Sequence, residues 1–275
     1  MKKLGYLGPA GSFSHQAAAI YVSKNPDVTP VAYQTIHAMA VAVSNGELDE
    51  AILPVENSLE GCVTATMDVL AEELDFLIRH DLILPIHQHL LVRPGTSPEE
   101  ITTVLSHIQA IGQCKRYLDE HFPGADVHAV ASSSVAAESA ANGDGAIAAI
   151  GSTVAGEIYG LEILARDIQD EKQNSTRFIL IAKEDWAYAG SIKTSVIFSV
   201  NHTPGSLHRV LSIFHIWGLN ITRIESRPSK RRLGEYLFYI DLEGHRAEQD
   251  MQDALRMLER STPFYKFLGS YNSIV

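Results

Sequence analysis

From residue 1 to about residue 183 short apolar runs alternate with helical patterns, which predicts an α/β domain with largely parallel strands. The runs that read as strands are Leu4 to Leu7, Thr29 to Tyr33, Glu50 to Leu53, Phe76 to Ile83, His89 to Val92, Thr103 to Ser106, Asp126 to Val130, Ala146 to Ile150 and Phe178 to Ala182. Helical spacing predicts helices over Ser14 to Ser23, Ile36 to Asn45, Ala65 to Glu73, Ile108 to Phe122, Ser134 to Asn142 and Thr153 to Tyr159. Several of them begin at a Ser or Thr suited to cap a helix. Charged, aromatic and Gly residues interrupt the pattern over 184–193, which reads as a linker. Beyond it the order is strand (Thr194 to Val200), helix (Pro204 to Trp217), two strands (Ile221 to Ser226, Tyr236 to Leu242), helix (Glu248 to Arg260) and strand (Lys266 to Ser270). That βαββαβ order predicts a ferredoxin-like domain, one antiparallel sheet covered by two helices.

At 275 residues the chain is long enough for more than one domain. Its 33 acidic against 22 basic residues give a net charge of -11, which repels phosphate backbones and argues against nucleic acid as a partner. An anionic ligand therefore needs locally arranged donors. No stretch reaches the roughly 18 apolar residues of a membrane span. No export signal is expected at the N-terminus, and the widely separated Cys62 and Cys114 fit reduced thiols, so the expected location is the cytoplasm.

Three segments carry candidate chemistry. Gly8 to Ser14 follows a strand and opens a helix, where free amides and the hydroxyls of Ser12 and Ser14 form a candidate anion site. Gly5, Gly8 and Gly11 do not fit a dinucleotide fingerprint, and a tight βα turn accounts for the segment equally well. Pro54 to Gly61 places Glu56, Asn57 and Ser58, an acid, an amide and a hydroxyl, just beyond a strand, where open α/β sheets hold ligands. Asn174 to Phe178 sets the Thr176 hydroxyl beside the Arg177 guanidinium at the mouth of a strand, a pairing suited to an anionic substrate that loses an oxygen. A capped turn explains the same residues. His87 and His89 share a strand face, but no third ligand is evident, so no metal site is expected. Arg223, Arg227, Lys230, Arg231 and Arg232 form a basic cluster that reads as a solvated edge and loop.

Taken in order, Gly8-Pro-Ala-Gly-Ser-Phe-Ser14, Pro54-Val-Glu-Asn-Ser-Leu-Glu-Gly61, Ser106-His-Ile-Gln-Ala-Ile-Gly-Gln-Cys114 and Asn174-Ser-Thr-Arg-Phe178 resemble the prephenate dehydratase family. Pro204-Gly-Ser-Leu207, Asn220-Ile221 and Glu225-Ser-Arg-Pro228 resemble its ACT regulatory domain, so the resemblance covers nearly the whole chain. Ser12 departs from the usual Thr, Ile108 from the usual Pro and Ser206 from a frequent Ala. The resemblance implies a catalytic domain over 1–183, similar to a type 2 periplasmic binding protein, with two lobes around a cleft and crossings near residues 80 and 165. An ACT domain over 194–275 would follow it.

The implied reaction converts prephenate to phenylpyruvate with loss of carbon dioxide and the ring hydroxyl. Aromatisation drives it, so neither redox cofactor nor metal is implied. Thr176 is then the catalytic residue that protonates or hydrogen-bonds the leaving hydroxyl, polarised by Arg177 or by a helix N-terminus, with Glu56 as a second possible acid and Arg177 also as the clamp on a substrate carboxylate. Ser12, Ser14, Glu56, Asn57, Ser58, Gln113, Asn174 and Phe178 are the remaining substrate-binding candidates. Gly205, Ser206, Leu207, Asn220, Glu225, Ser226 and Arg227 are implied to line a site for L-phenylalanine as allosteric inhibitor, in a homodimer or homotetramer built through the ACT domains. A fused chorismate mutase is not expected. The competing readings are arogenate dehydratase and a non-catalytic amino-acid sensor.

Overall fold

The computed structural model describes residues 1–185, 193–230 and 234–274. The expected linker falls largely outside the described residues, as do Arg231 and Arg232. In chain order the first lobe begins with β1 (Lys2–Leu7), α1 (Phe13–Lys24), β2 (Val28–Tyr33), α2 (Ile36–Asn45), β3 (Glu50–Asn57), the two-residue β4 (Gly61–Cys62), α3 (Thr64–Ala71) and β5 (Leu77–Pro85). The second lobe holds β6 (His89–Val92), β7 (Thr103–Ser106), α4 (Ile108–Gln113), α5 (Lys115–His121), β8 (Asp126–Ala129), α6 (Ser133–Asn142), β9 (Ile147–Gly151), α7 (Thr153–Tyr159) and β10 (Glu162–Ala165). The chain returns as β11 (Ser175–Ala182). It then forms β12 (Lys193–Ser199), α8 (Ser206–Ile216), β13 (Ile221–Pro228), β14 (Tyr236–Glu243), α9 (Gln249–Ser261) and β15 (Tyr265–Ser273).

Helix starts follow the expected chemistry. The hydroxyls of Ser12, Thr35, Ser132 and Ser152 each accept the amide three residues on, which satisfies one orphan donor of the first turn. The expected single helix over Ile108 to Phe122 is broken at Cys114, because the Gln113 carbonyl accepts the amide of Asp170 at 2.7 Å from another segment.

The strands are less parallel than the pattern predicts. β1 pairs in parallel with β2 and β3, and β7 with β8 and β9, but β11 lies antiparallel between β3 and β5. The reason is the crossing. The chain leaves the first lobe at the end of β5 and re-enters at the start of β11, so Ser175 faces Pro85 and the two strands must run in opposite directions. Residue 80 lies inside β5, and the first crossing is the short segment 86–88. The second, 166–174, lies beside it: the Ile168 amide donates to the Gln88 carbonyl at 2.9 Å and the Ile86 amide to the Asn174 carbonyl at 2.8 Å. The second lobe is a five-stranded sheet, β10-β6-β9-β7-β8. Its strand β10 was absent from the sequence pattern.

The C-terminal strands pair in the order β13-β14-β12-β15, all antiparallel, as a ferredoxin-like domain requires. The end of β15 also pairs with β5, Asn272 with His80 and Ser273 with Asp81, so the first lobe and the C-terminal domain share one ten-stranded sheet. One face of the C-terminal sheet packs Val196, Phe198, Ile240 and Leu242 against Val210, Phe214, Met251 and Leu258 of its helices. The other face adds Ile197, Tyr239, Leu268 and Tyr271 to the first lobe's core. This second burial makes the two parts one packed unit rather than beads on a linker.

Candidate active site

β3 extends through Asn57, four residues past the expected end, and this decides which side chains meet. In its antiparallel pairing with β11, Thr176 lies opposite Asn57 and Arg177 opposite Glu56. Successive strand residues point to opposite faces. Thr176 and Asn57 therefore share the cleft face, and Arg177 and Glu56 share the reverse face.

On the cleft face one amide fixes the direction of every bond in a chain. Asn57 Oδ1 accepts the backbone amides of Leu59 at 2.9 Å and Glu60 at 3.1 Å, so its Nδ2 is a donor. Asn57 Nδ2 donates to Thr176 Oγ1 at 2.9 Å and to Asn174 Oδ1 at 2.8 Å. Asn174 Nδ2 in turn donates to Gln113 Oε1 at 3.1 Å, and Gln113 Nε2 lies 3.4 Å from a Glu60 oxygen. Because Thr176 Oγ1 receives a hydrogen bond from Asn57, its own proton is left to donate outward. The hydrogen bond to Thr176 Oγ1 comes from the Asn57 amide rather than from Arg177, whose guanidinium is engaged on the reverse face.

The cleft between the lobes has a volume of about 550 Å³. Ser12, Ser14, Asn57, Asn174 and Thr176 line it from the first lobe and the return segment, and Gln113 from the second lobe. The starts of α1 and α6, at Phe13 and at Ser132 and Ser133, also open onto it. No Lys or Arg lines the cleft among the described residues, and Glu60 is the charged residue there. Glu60 reaches across to the second lobe, where Gln109 Nε2 stands 3.3 Å from its carboxylate. A carboxylate ligand is therefore met by hydroxyls, amides and helix starts rather than by a guanidinium.

The lobes also touch beside the Gly8 to Ser14 loop, where Ser152 Oγ donates to the Gly11 carbonyl at 3.0 Å. Gly11 has φ +85°, and a Cβ there would stand 3.2 Å from Ala155 Cα, so only glycine fits this closeness and conformation. Ser12 lines the cleft with its hydroxyl already committed, donating to the Leu7 carbonyl at 3.0 Å and accepting from the His15 amide at 3.2 Å.

Four expected substrate contacts are corrected. Arg177 is 8% exposed and turns away from the cleft. Its guanidinium donates to Asp81 at 2.9 Å, Asp241 at 2.6 Å, Tyr271 Oη at 2.9 Å and Glu56 at 3.3 Å. Glu56 is on the same reverse face and also accepts from Arg223 Nε at 2.6 Å. Phe178 is 1% exposed in the core with Leu82, Leu84 and Ile86. Ser58 does not line the cleft; it ties the β3 end to the return segment, accepting from the Ser175 amide at 3.0 Å and donating to the Gln173 carbonyl at 3.1 Å. Strand alternation explains Arg177 and Glu56, which sequence adjacency had placed with Thr176.

The reverse face is an ion cluster joining the first lobe to the C-terminal domain. Arg177, Lys193 and Arg223 face Glu56, Asp81 and Asp241, three cations against three carboxylates. Burial raises the Asp81 pKa, but Arg177, Lys193 and Ser273 outweigh it and hold the carboxyl below its ordinary value. Burial likewise works against the Arg177 charge, and Asp241 and Asp81 among its neighbours overcome it, so the group stays more firmly protonated than a free arginine. Ser195 Oγ donates to Asp241 and lies 2.5 Å from Tyr271 Oη, completing the shell.

The expected regulatory residues divide. Gly205, in the left-handed conformation at φ +76°, starts α8, and with Ser206 and Leu207 it lines a depression of about 540 Å³ closed by Tyr236 and Phe238. Ser226 pairs with Phe238 on that side of the sheet. Asn220 accepts the Glu243 amide through its carbonyl at 3.0 Å. Glu225 and Arg227 instead face the first lobe, Glu225 3.6 Å from Cys62 Sγ and Arg227 Nη1 3.0 Å from Thr64 Oγ1. Among the described members of the basic cluster, Arg223 pairs with Glu56 and Arg227 with Asp68 against the first lobe rather than at a solvated edge, whereas Lys230, which also pairs with Asp68, is exposed.

His87 Nδ1 lies 2.7 Å from Asp167 Oδ1, and His89 Nδ1 accepts the Asp167 amide at 3.1 Å, so both rings brace the crossing segments. Glu60, Gln88, His107, Ser132 and Ser133 line the cleft without having been singled out as candidates. Only Glu60 and His107 stood inside a quoted motif.

Residues 4–186 match the prephenate dehydratase family and residues 194–260 the ACT domain family. A bifunctional chorismate mutase/prephenate dehydratase of Aquifex aeolicus is 42% identical over 98% of this chain and 73% of its own length. A prephenate dehydratase of Methanocaldococcus jannaschii is 38% identical over 98% of both chains. The crystal structure of a prephenate dehydratase from Arthrobacter aurescens in complex with L-Phe has a TM-score of 0.90 at 36% identity, covering 98% of this chain and 90% of that one. With relatives this similar along its whole length, the chain belongs to the prephenate dehydratase family and carries an ACT domain.

Proposed function

We propose that the cleft converts prephenate to phenylpyruvate, with Thr176 as the proton donor to the departing ring hydroxyl. The observation that carries this is the fixed direction of the Asn57 amide, which leaves the Thr176 O–H free to donate. As the bond from the ring to its carboxylate breaks, its electrons enter the ring and the C–O bond opposite breaks. The oxygen leaves as water, keeping its own proton and taking one from Thr176. Charge that develops on Thr176 Oγ1 is met by Asn57 Nδ2, and solvent restores the proton. The sum is prephenate plus one proton to phenylpyruvate, carbon dioxide and water.

The start of α1, with Ser14 and the first-turn amides, and the start of α6, with Ser132 and Ser133, receive the two substrate carboxylates. A weakly hydrated site favours loss of the ring carboxylate, because carbon dioxide needs no hydration shell. Asn174 and Gln113 hold the donor amide in place.

The ACT domain binds L-phenylalanine at the Gly205 to Leu207 turn, the Arthrobacter aurescens relative having been crystallised with L-Phe. Pairing of two ACT domains gives a homodimer or a homotetramer. Inhibition follows from a difference in L-phenylalanine affinity between active and inactive arrangements, and the shared sheet and ion cluster supply the physical link. Among the described residues no helix is long and apolar enough to cross a membrane, and both cysteines are free, which supports a cytoplasmic enzyme.

The test is phenylpyruvate formation by the purified protein from prephenate, with and without L-phenylalanine, and with arogenate in parallel. Prephenate turnover suppressed by L-phenylalanine is the expected result. A folded protein that binds L-phenylalanine but turns over neither substrate would leave the sensor reading in its place.

A further inference from the structure

Gln88 is the last residue of the short crossing between β5 and β6, and it is 3% exposed although its side chain lines the cleft. Its backbone is pinned on both sides. The Gln88 amide donates to Gln169 Oε1 at 2.9 Å, and its carbonyl accepts the Ile168 amide at 2.9 Å. Its side-chain Nε2 lies 3.4 Å from Gln113 Oε1, an atom already identified as an acceptor by the chain of amides that starts at Asn57. The nitrogen is therefore on the Gln113 side, and the remaining atom is an oxygen. That oxygen, Gln88 Oε1, is buried and has no hydrogen-bond partner.

A buried acceptor without a donor is costly, and native proteins keep few of them. The cleft around it already fits the ligand's acceptors, since prephenate offers two carboxylates and a ketone to hydroxyls, amides and helix starts. Prephenate carries a single O–H, the ring hydroxyl that leaves. An orphan acceptor in this cleft has one matching group on the substrate.

We propose that Gln88 is a further substrate-binding residue, whose Oε1 accepts the hydrogen bond of the departing ring hydroxyl. This rests on the dehydratase reading of the cleft. With the hydroxyl's own proton held on Gln88, the lone pairs of that oxygen turn towards the Thr176 O–H. The hydroxyl is then oriented from both sides, its existing proton by Gln88 and its incoming proton by Thr176. No bond to Gln88 is made or broken in the step.

The experiment compares wild-type protein with Gln88→Leu, which has similar bulk and no polar atoms. Two ligands are used: prephenate, and phenylpyruvate as a competitive ligand that lacks the hydroxyl. In the variant kcat/KM for prephenate is expected to fall by about 10- to 100-fold, the scale of a buried hydrogen bond. The inhibition constant of phenylpyruvate is expected to stay within about twofold, because the contact it lacks cannot be lost. The urea midpoint is expected to hold or rise, since an unsatisfied buried acceptor has been removed. An unchanged kcat/KM overturns the proposal. So does an equal loss of phenylpyruvate binding, which would mean that the cleft is distorted. A wild-type protein with no prephenate turnover overturns the dehydratase reading together with this one, whereas an active wild type and an equally active Gln88→Leu overturn this one alone.

Discussion

Replacing Thr176 with valine is expected to lower kcat by about 100- to 10,000-fold, the range lost when a positioned proton donor is removed. Valine keeps the shape of threonine and its preference for strand geometry, so β11 and its pairing with Asn57 should survive. What disappears is the outward-pointing O–H. If the carboxylates are held at the helix starts, as proposed, KM for prephenate should change by no more than about threefold. The variant therefore separates the donor role from the binding role. Measured kcat within a few-fold of wild type would remove Thr176 from the chemistry and leave the Asn57 hydrogen bond as a structural tie.

The second large effect is on stability. Arg177→Ala is expected to destabilise the protein on the order of 3–5 kcal/mol, the usual result of stripping one partner from a buried ion pair. The loss is severe because Asp81 and Asp241 are buried and both lean on that guanidinium. Tyr271 Oη loses a donor as well. Denaturation in urea, followed by a signal from the first lobe and another from the C-terminal domain, measures it. Loosening of the shared interface predicts that the two signals separate in the variant and coincide in wild type. An Arg177→Ala protein of normal stability with a greatly raised KM would instead restore the substrate-clamp role that its placement contradicts.

The same cluster predicts acid sensitivity. Asp81 has a folded pKa below its unfolded value, so its pairing contributes stability that is fully present above the unfolded value of about 3.9 and is lost as pH falls through the folded one. Wild-type stability should therefore fall below about pH 4, with Asp81→Asn less stable at neutral pH and less sensitive to that window. Parallel pH profiles for the two proteins would show that Asp81 contributes nothing to it.

The element order and the βαββαβ domain were legible because hydrophobic periodicity reports burial along a single element. His89 to Val92, Thr103 to Ser106 and Thr153 to Tyr159 have the bounds that the pattern predicts. The four motifs also located Asn57, Gln113, Asn174 and Thr176, which meet in one network. Which face a residue occupies was not legible where the strand's end was not. Reading β3 as ending at Leu53 made Glu56 a loop residue free to face the cleft, whereas four more residues of strand turn it to the other side. Arg177 fell with it, because its partners Asp81, Asp241 and Tyr271 are 64 to 96 positions away and no local pattern joins them. Gln88 carried no sequence signal. A glutamine between two histidines looks like an exposed strand end until two crossing segments close over it.

Whether Asn57 acts through Thr176 is decided by a double-mutant cycle on kcat. The proteins are wild type, Asn57→Ala, Thr176→Val and the pair combined, assayed on prephenate at saturation. If the amide serves to orient and stabilise the hydroxyl, removing it after the hydroxyl is gone changes little, and the double variant is no slower than Thr176→Val by more than about threefold. Losses that multiply, so that the double variant is slower by the product of the two single effects, would mean that the residues act independently and would contradict the assignment of the Thr176 proton.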